Sequence, residues 1–123
     1  MRWLLRLVHL RVAQDLDHQK SFEAMSSSIS WLQISAITLA EALIAPNRLS
    51  KEIAKNEEKK ILEIVDEVVP VNSEISFRAA WLRSQTPMRL IDAVISSTAE
   101  VTNTELWTND FKQARSSKKA RLL

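Results

Sequence analysis

The chain has 123 residues, 46% hydrophobic and 26% charged, which supplies apolar material for one packed core and excludes global disorder. It carries no cysteine, no glycine and only two histidines, which excludes disulfides, thiolate chemistry, three-histidine metal centres and glycine-dependent phosphate loops. With 17 basic against 15 acidic residues the net charge is +2, so any affinity for nucleic acid has to come from local charge placement.

The opening Met1–Ala13 stretch superficially resembles a secretory signal, but Arg6, His9 and Arg11 break its apolar run and no small-x-small cleavage site follows. No segment approaches the roughly 20 uninterrupted apolar residues that span a bilayer. The expectation is a cytoplasmic protein in a reducing compartment, with no membrane partner. Residues Arg2 to Val12 read as helix, with Arg2, Arg6 and His9 along one face among Leu4, Leu7, Val8 and Leu10. Asp15-Leu16-Asp17-His18 interrupts that pattern, and Asp15 or Asp17 is placed to cap a short helix from His18 to Met25. Ser26-Ser27-Ser28 reads as a loop, and Trp31 to Ile37, short and β-branched, as a strand.

Thr38-Leu39-Ala40-Glu41 then opens a helix that Pro46 and Asn47 are expected to stop. Ser50 is placed to cap the next helix, with Ile53, Ile61, Ile64 and Val65 on its apolar side and Lys51, Lys55, Glu57, Glu58, Lys59 and Lys60 mostly on its wet side. Val68-Val69-Pro70-Val71 reads as a buried strand, and Asn72-Ser73 caps a helix carrying Ile75, Phe77, Trp81 and Leu82. After the Gln85-Thr86-Pro87 turn, Leu90 to Val101 forms a strongly apolar helix with one buried-looking acid, Asp92. Glu105 to Thr108 reads as a strand, Asp110 to Arg115 as a short helix, and Arg121-Leu122-Leu123 as a final strand. Short strands alternating with helices of 10–15 residues indicate an α/β domain with a parallel sheet, spanning residues 1–123.

Three acids stand where such a fold gathers chemistry. Glu41 and Asp110 each follow a strand and lie near the opening of a helix, and Asp92 lies near the start of one that is otherwise almost entirely apolar. Residues just beyond the carboxyl ends of parallel strands converge on one crevice, and carboxylates collected there call for a cation. Oxygen donors favour Mg²⁺ or Mn²⁺, which suit phosphodiester substrates. The residues alone leave a second reading open. Thr38-x-x-Glu41 has the form of a capping box, Asp110 that of a helix cap, and Asp92 that of a complement to a helix dipole.

Ile34-Ser35-Ala36-Ile37-Thr38-Leu39-Ala40-Glu41-Ala42-Leu43 resembles the strand–helix junction of PIN-domain nucleases, especially the VapC-like toxins of type II toxin–antitoxin pairs. Val68 to Val71, followed by Phe77 to Arg83, resembles that family's middle strand and helix. Arg89-Leu90-Ile91-Asp92-Ala93-Val94-Ile95 is similar to its third acidic motif, with Ile91 where proline is usual, and Leu106-Trp107-Thr108-Asn109-Asp110-Phe111 to its last. The resemblance implies a PIN-like three-layer fold, a short parallel sheet flanked by helices. It also implies metal-dependent endoribonuclease activity. Glu41, Asp92 and Asp110 would be the catalytic, metal-binding acids for Mg²⁺ or Mn²⁺, with Thr108 and Asn109 in support. RNA substrate, an antitoxin partner and a homodimer follow from the same likeness.

The family's first strand ends in an aspartate that ligates metal. Here the corresponding stretch offers Trp3, Leu4 and Leu5, and the first acid along the chain is Asp15. The first strand is therefore expected to be missing or degenerate, and the activity to be weakened by loss of one ligand. The alternative is a catalytically inert PIN-like module that binds RNA or protein.

Arg89, three residues before Asp92, is positioned either to contact a scissile phosphate or to pair with an acid. Lys112 and Arg115, in a tail that also holds Lys118, Lys119 and Arg121, are candidate RNA contacts, with solubility as the competing role. The four tryptophans lie among aliphatic residues and are expected in the core. His9 and His18 suggest no site.

Overall fold

The computed structural model describes residues 2–6, 31–108 and 120–122. Five strands, β1 (Arg2–Arg6), β2 (Trp31–Ser35), β3 (Glu67–Val69), β4 (Glu105–Thr108) and β5 (Ala120–Leu122), form one sheet in the order β3-β2-β1-β4-β5. Every pairing is parallel. Parallel neighbours need long crossovers. Helices α1 (Ala36–Leu49) and α2 (Lys51–Ile64) connect β2 to β3, and α3 (Ser73–Gln85) and α4 (Leu90–Val101) connect β3 to β4. The expected α/β architecture with a short parallel sheet is the one observed.

Residues Arg2–Arg6 are strand, which corrects the helix expected from Arg2 onward. A five-residue Arg-Trp-Leu-Leu-Arg run satisfies either period, and short apolar runs cannot be assigned by periodicity alone. Its place in the sheet decides. β1 lies between β2 and β4, with Leu4 in register with Gln33 on one side and Leu106 on the other. A central strand of a parallel sheet is covered on both faces and reads as a continuous apolar run. Of the two expectations for this strand, missing or degenerate, the structure supports the second: the strand is there, without an acid.

β2 follows the same rule, with Leu32, Gln33, Ile34 and Ser35 all buried. It ends two residues earlier than expected, because Ser35 caps α1 by accepting the Ile37 N–H at 3.2 Å. The alternative reading of Thr38-x-x-Glu41 as a capping box is thereby set aside: Thr38 lies inside the first turns of α1 and is buried. Pro46 does not stop α1 either. It sits in the last turn, where Asn47 Nδ2 donates to Leu43 O at 2.7 Å and the Ser50 N–H reaches Pro46 O at 3.1 Å. These bonds hold the turn although the proline has no N–H to donate. Ser50 caps α2 through Ile53 N, and Asn72 caps α3 through Ile75 N, both as expected.

α4 is the most deeply packed helix. Ala93 and Ile95 to Ala99 are buried, and Ile95, Ala99 and Leu106 form a cluster against which Ile37 of α1 packs. The helix ends in a Schellman turn: Asn103 takes φ 51°, its N–H bonds Glu100 O at 3.2 Å, and the Thr104 N–H bonds Ala99 O at 2.9 Å. Asparagine is the residue that enters the left-handed region most readily after glycine, which this chain lacks.

Just beyond this turn a polar network joins α4 to the sheet. Thr102 Oγ1 donates its one proton to Thr98 O at 2.6 Å, so it accepts from Gln33 Nε2 and from Thr104 Oγ1, both at 2.9 Å. Gln33 Oε1 in turn accepts from Trp31 Nε1 at 3.2 Å. Gln33 and Thr104 are buried, and the bonding satisfies them.

The tryptophan expectation is corrected at Trp81. α3 buries Ile75 and Ala79 but leaves Phe77 79% and Trp81 49% exposed. The Arg78 guanidinium lies 5.0 Å from the Trp81 ring centroid while pairing with Glu100 of α4 at 2.7 Å. Trp31 is half-buried, and the side chains of Trp3 and Trp107 lie outside the described ones. The apolar side expected of α2 is likewise only partly covered: Ile61 is buried, but Ile53 and Ile64 are exposed. Among the described residues, no helix is long and apolar enough to cross a membrane.

Candidate functional site

The chain lays β1, β2 and β3 out in one direction and then returns to the other side of β1 for β4 and β5. The order reverses between β1 and β4, and a crevice outside the carboxyl ends of the strands forms at such a switch point. α1 begins directly after β2, so its start stands at that carboxyl edge. α4 leads into β4, so its start stands at the same edge.

Glu41 lies on the second turn of α1 and is half-buried. Asp92 lies on the first turn of α4 and is 5% exposed. Ile37, one turn before Glu41, packs against the cluster that holds Ile95, one turn after Asp92. Thr108 is the last residue of β4 and is in register with Arg6, the last residue of β1. Thus an arginine stands at the β1 terminus beside the strand that leads to Asp110. Asn109, Asp110, Lys112 and Arg115 lie outside the described residues, as do Asp15, Asp17, the His18–Met25 helix, the serine loop and the Asp110–Arg115 helix.

Of the two roles open to Arg89, the structure shows the ion pair. Its Nε donates to Asp92 Oδ2 at 2.9 Å and its Nη2 to Asp92 Oδ1 at 3.3 Å, a fork that engages both carboxylate oxygens. The arginine side chain is 69% exposed and that of Asp92 7%. An exposed cation thus neutralises a buried anion, and the electropositive start of α4 adds to the same effect. Arg89 precedes the helix without making a side-chain cap.

Two features escaped the sequence reading. Ser35 is the true cap of α1, a role signalled by a hydroxyl residue at the junction of strand and helix. Thr38 Oγ1 and Ser97 Oγ, on the helices that carry Glu41 and Asp92, are buried without a hydrogen-bond partner among the described residues. Unpaired buried hydroxyls are expensive and uncommon. Among the described residues no three His, Cys, Asp or Glu side chains are grouped closely enough to hold a metal. Of the expected trio, Glu41 and Asp92 are described and Asp110 is not. The donors are nonetheless of the type that suits a hard divalent ion, and the buried Asp92 carboxylate already draws a cation to itself.

The PIN domain family model matches residues 7–119 of the chain. The comparison with curated proteins returned no match. Among solved structures, VapBC2 from Rickettsia felis, bound to a DNA fragment from its promoter, has a TM-score of 0.76 at 20% identity, covering 100% of this chain and 98% of that one. VapBC-1 from nontypeable Haemophilus influenzae gives 0.75 at 19% identity, with 99% and 98% covered. VapC20 from Mycobacterium tuberculosis, described as a Sarcin-Ricin loop cleaving toxin, gives 0.69 at 16% identity, with 93% and 94% covered. The sequence match over most of the chain, on a sheet and helix order shared with VapC toxins, makes this protein a member of the PIN domain family.

Proposed function

We propose that this protein is a metal-dependent endoribonuclease of the VapC toxin type, weakened by the lack of an acid on β1. The observation that carries the reading is Asp92, a buried carboxylate at the start of α4, on the carboxyl edge of a PIN-domain sheet. Glu41, Asp92 and Asp110 would hold Mg²⁺ or Mn²⁺, which when bound supplies charge neutralisation and an activated water for phosphodiester hydrolysis. Thr108 and Asn109 would orient groups beside those acids. Lys112 and Arg115 would draw the RNA backbone toward the crevice through local positive charge.

Structural neighbours described as toxin–antitoxin assemblies support an antitoxin partner. The toxin itself would be a homodimer, and the pair would act in the cytoplasm. Exposed Ile44, Leu49 and Ile53 on α1 and α2 offer apolar surface for such a partner to cover. The test is cleavage of RNA by the purified chain with Mn²⁺ or Mg²⁺ and with chelator. The expected outcome is slow, metal-dependent cleavage that Asp92→Asn abolishes. Metal-independent cleavage, or activity unchanged in Asp92→Asn, defeats the proposal.

The acid-free β1 and the arginine already seated on Asp92 favour a second reading, an inert PIN module that binds RNA or protein. Divalent ions should raise the melting temperature of an enzyme with a competent site and leave that of an inert module unchanged.

A further inference from the structure

We propose that Arg89 is a positioning residue that caps Asp92 in the metal-free protein, so that a divalent ion gains this acid only by displacing the guanidinium. The inference rests on the metal-site reading above and deepens it. Three observations carry it. The fork spans both carboxylate oxygens, Nε to Oδ2 at 2.9 Å and Nη2 to Oδ1 at 3.3 Å, so the positive charge lies along the edge a chelated cation would use. The acid is buried at the start of α4, whereas the arginine side chain is mostly solvent-exposed. Finally, β1 contributes no acid, so the negative charge available to attract a metal is already reduced, and one guanidinium subtracts from a smaller total.

Arg89 therefore has two opposed effects. It stabilises the metal-free fold by neutralising a buried carboxylate, and it lowers affinity for a divalent ion by competing for the same oxygens. A purely structural ion pair has only the first effect. The fork also holds the Asp92 carboxylate in one orientation, which a lysine in place of arginine would reproduce in charge but not in geometry.

The test measures Mn²⁺ binding, by titration of the free-ion electron paramagnetic resonance signal, and the melting temperature without metal, in the wild type, Arg89→Gln, Arg89→Lys and Asp92→Asn. Arg89→Gln is expected to bind Mn²⁺ about tenfold more tightly, the scale of one unit charge a few ångströms away in a partly solvated site. Its metal-free melting temperature is expected to fall by about 3–5 °C, the scale set by the unfolding entropy of a domain of this size. Arg89→Lys should retain weak Mn²⁺ binding close to that of the wild type. Mn²⁺ binding in the wild type that is lost in Asp92→Asn, but is no tighter in Arg89→Gln, overturns the displacement inference and leaves the metal site standing. Absence of Asp92-dependent binding in both the wild type and Arg89→Gln overturns the metal site and the inference with it.

Discussion

The two ends of α4 solve the problem of buried polarity in opposite ways. At the amino edge of the sheet, Gln33, Thr98, Thr102 and Thr104 form a neutral network whose hydroxyl protons can all be assigned. At the carboxyl edge a buried carboxylate is answered by an arginine reaching in from solvent, and the buried Thr38 hydroxyl of α1 has no partner among the described residues. The first arrangement fixes helix to sheet and leaves nothing for a ligand to complete. The second holds charge and unmet bonding capacity in the elements that carry the candidate acids. Binding sites commonly retain such unfinished chemistry because a ligand can finish it.

The contrast is broken most strongly at its stable end. Gln33→Ala removes the donor to Thr102 and the acceptor of Trp31 and opens a small cavity, so urea unfolding should show a loss of about 2–3 kcal/mol. An effect under about 0.5 kcal/mol would mean that the network does not anchor α4. Thr102→Val retains the shape but leaves Gln33 Nε2 unpaired, and should cost about 1–2 kcal/mol in the same measurement.

For the buried hydroxyls that have no partner among the described residues the sign should reverse. Thr38→Val and Ser97→Ala each remove such a hydroxyl, and each should raise stability by about 0.5–1 kcal/mol, read as a higher urea midpoint at constant slope. Destabilisation of both would show that these hydroxyls are satisfied in solution. The smallest change is expected on the outer face of α3, where Phe77→Ser should alter stability by less than about 0.5 kcal/mol by thermal melting.

The legible parts of the sequence were those where several signals agreed. α4 was found at its observed limits, Leu90–Val101, because a long apolar run follows Pro87 and gives way to polar residues, and β4 was found at Glu105–Thr108. The caps at Ser50 and Asn72 were equally plain, each a hydrogen-bonding side chain ahead of a helical pattern. β1 was misread because its identity depends on neighbours distant in sequence: only pairing with β2 and β4 makes a strand of Arg2–Arg6. The α1 cap was misplaced by three residues because Ser35 and Thr38 both carry a suitable oxygen, and tertiary packing chose between them. At the site, Asp92 is legible as an acid in the first turn of a largely apolar helix. The two-pronged seat of Arg89 upon it depends on side-chain geometry that spacing does not specify.

Asn103, the left-handed residue that turns α4 toward β4, has a consequence for the unfolded chain. Glycine would adopt that backbone without strain, but it would also widen the range of shapes open to the polymer when it melts. By making the reversal with asparagine, a glycine-free chain keeps its denatured ensemble narrow and gives up less disorder on folding, a gain of about 0.4–1 kcal/mol at each site where the native backbone tolerates a side chain. Part of the folding balance is therefore set by conformations the unfolded chain never visits, and no contact in the folded molecule accounts for it.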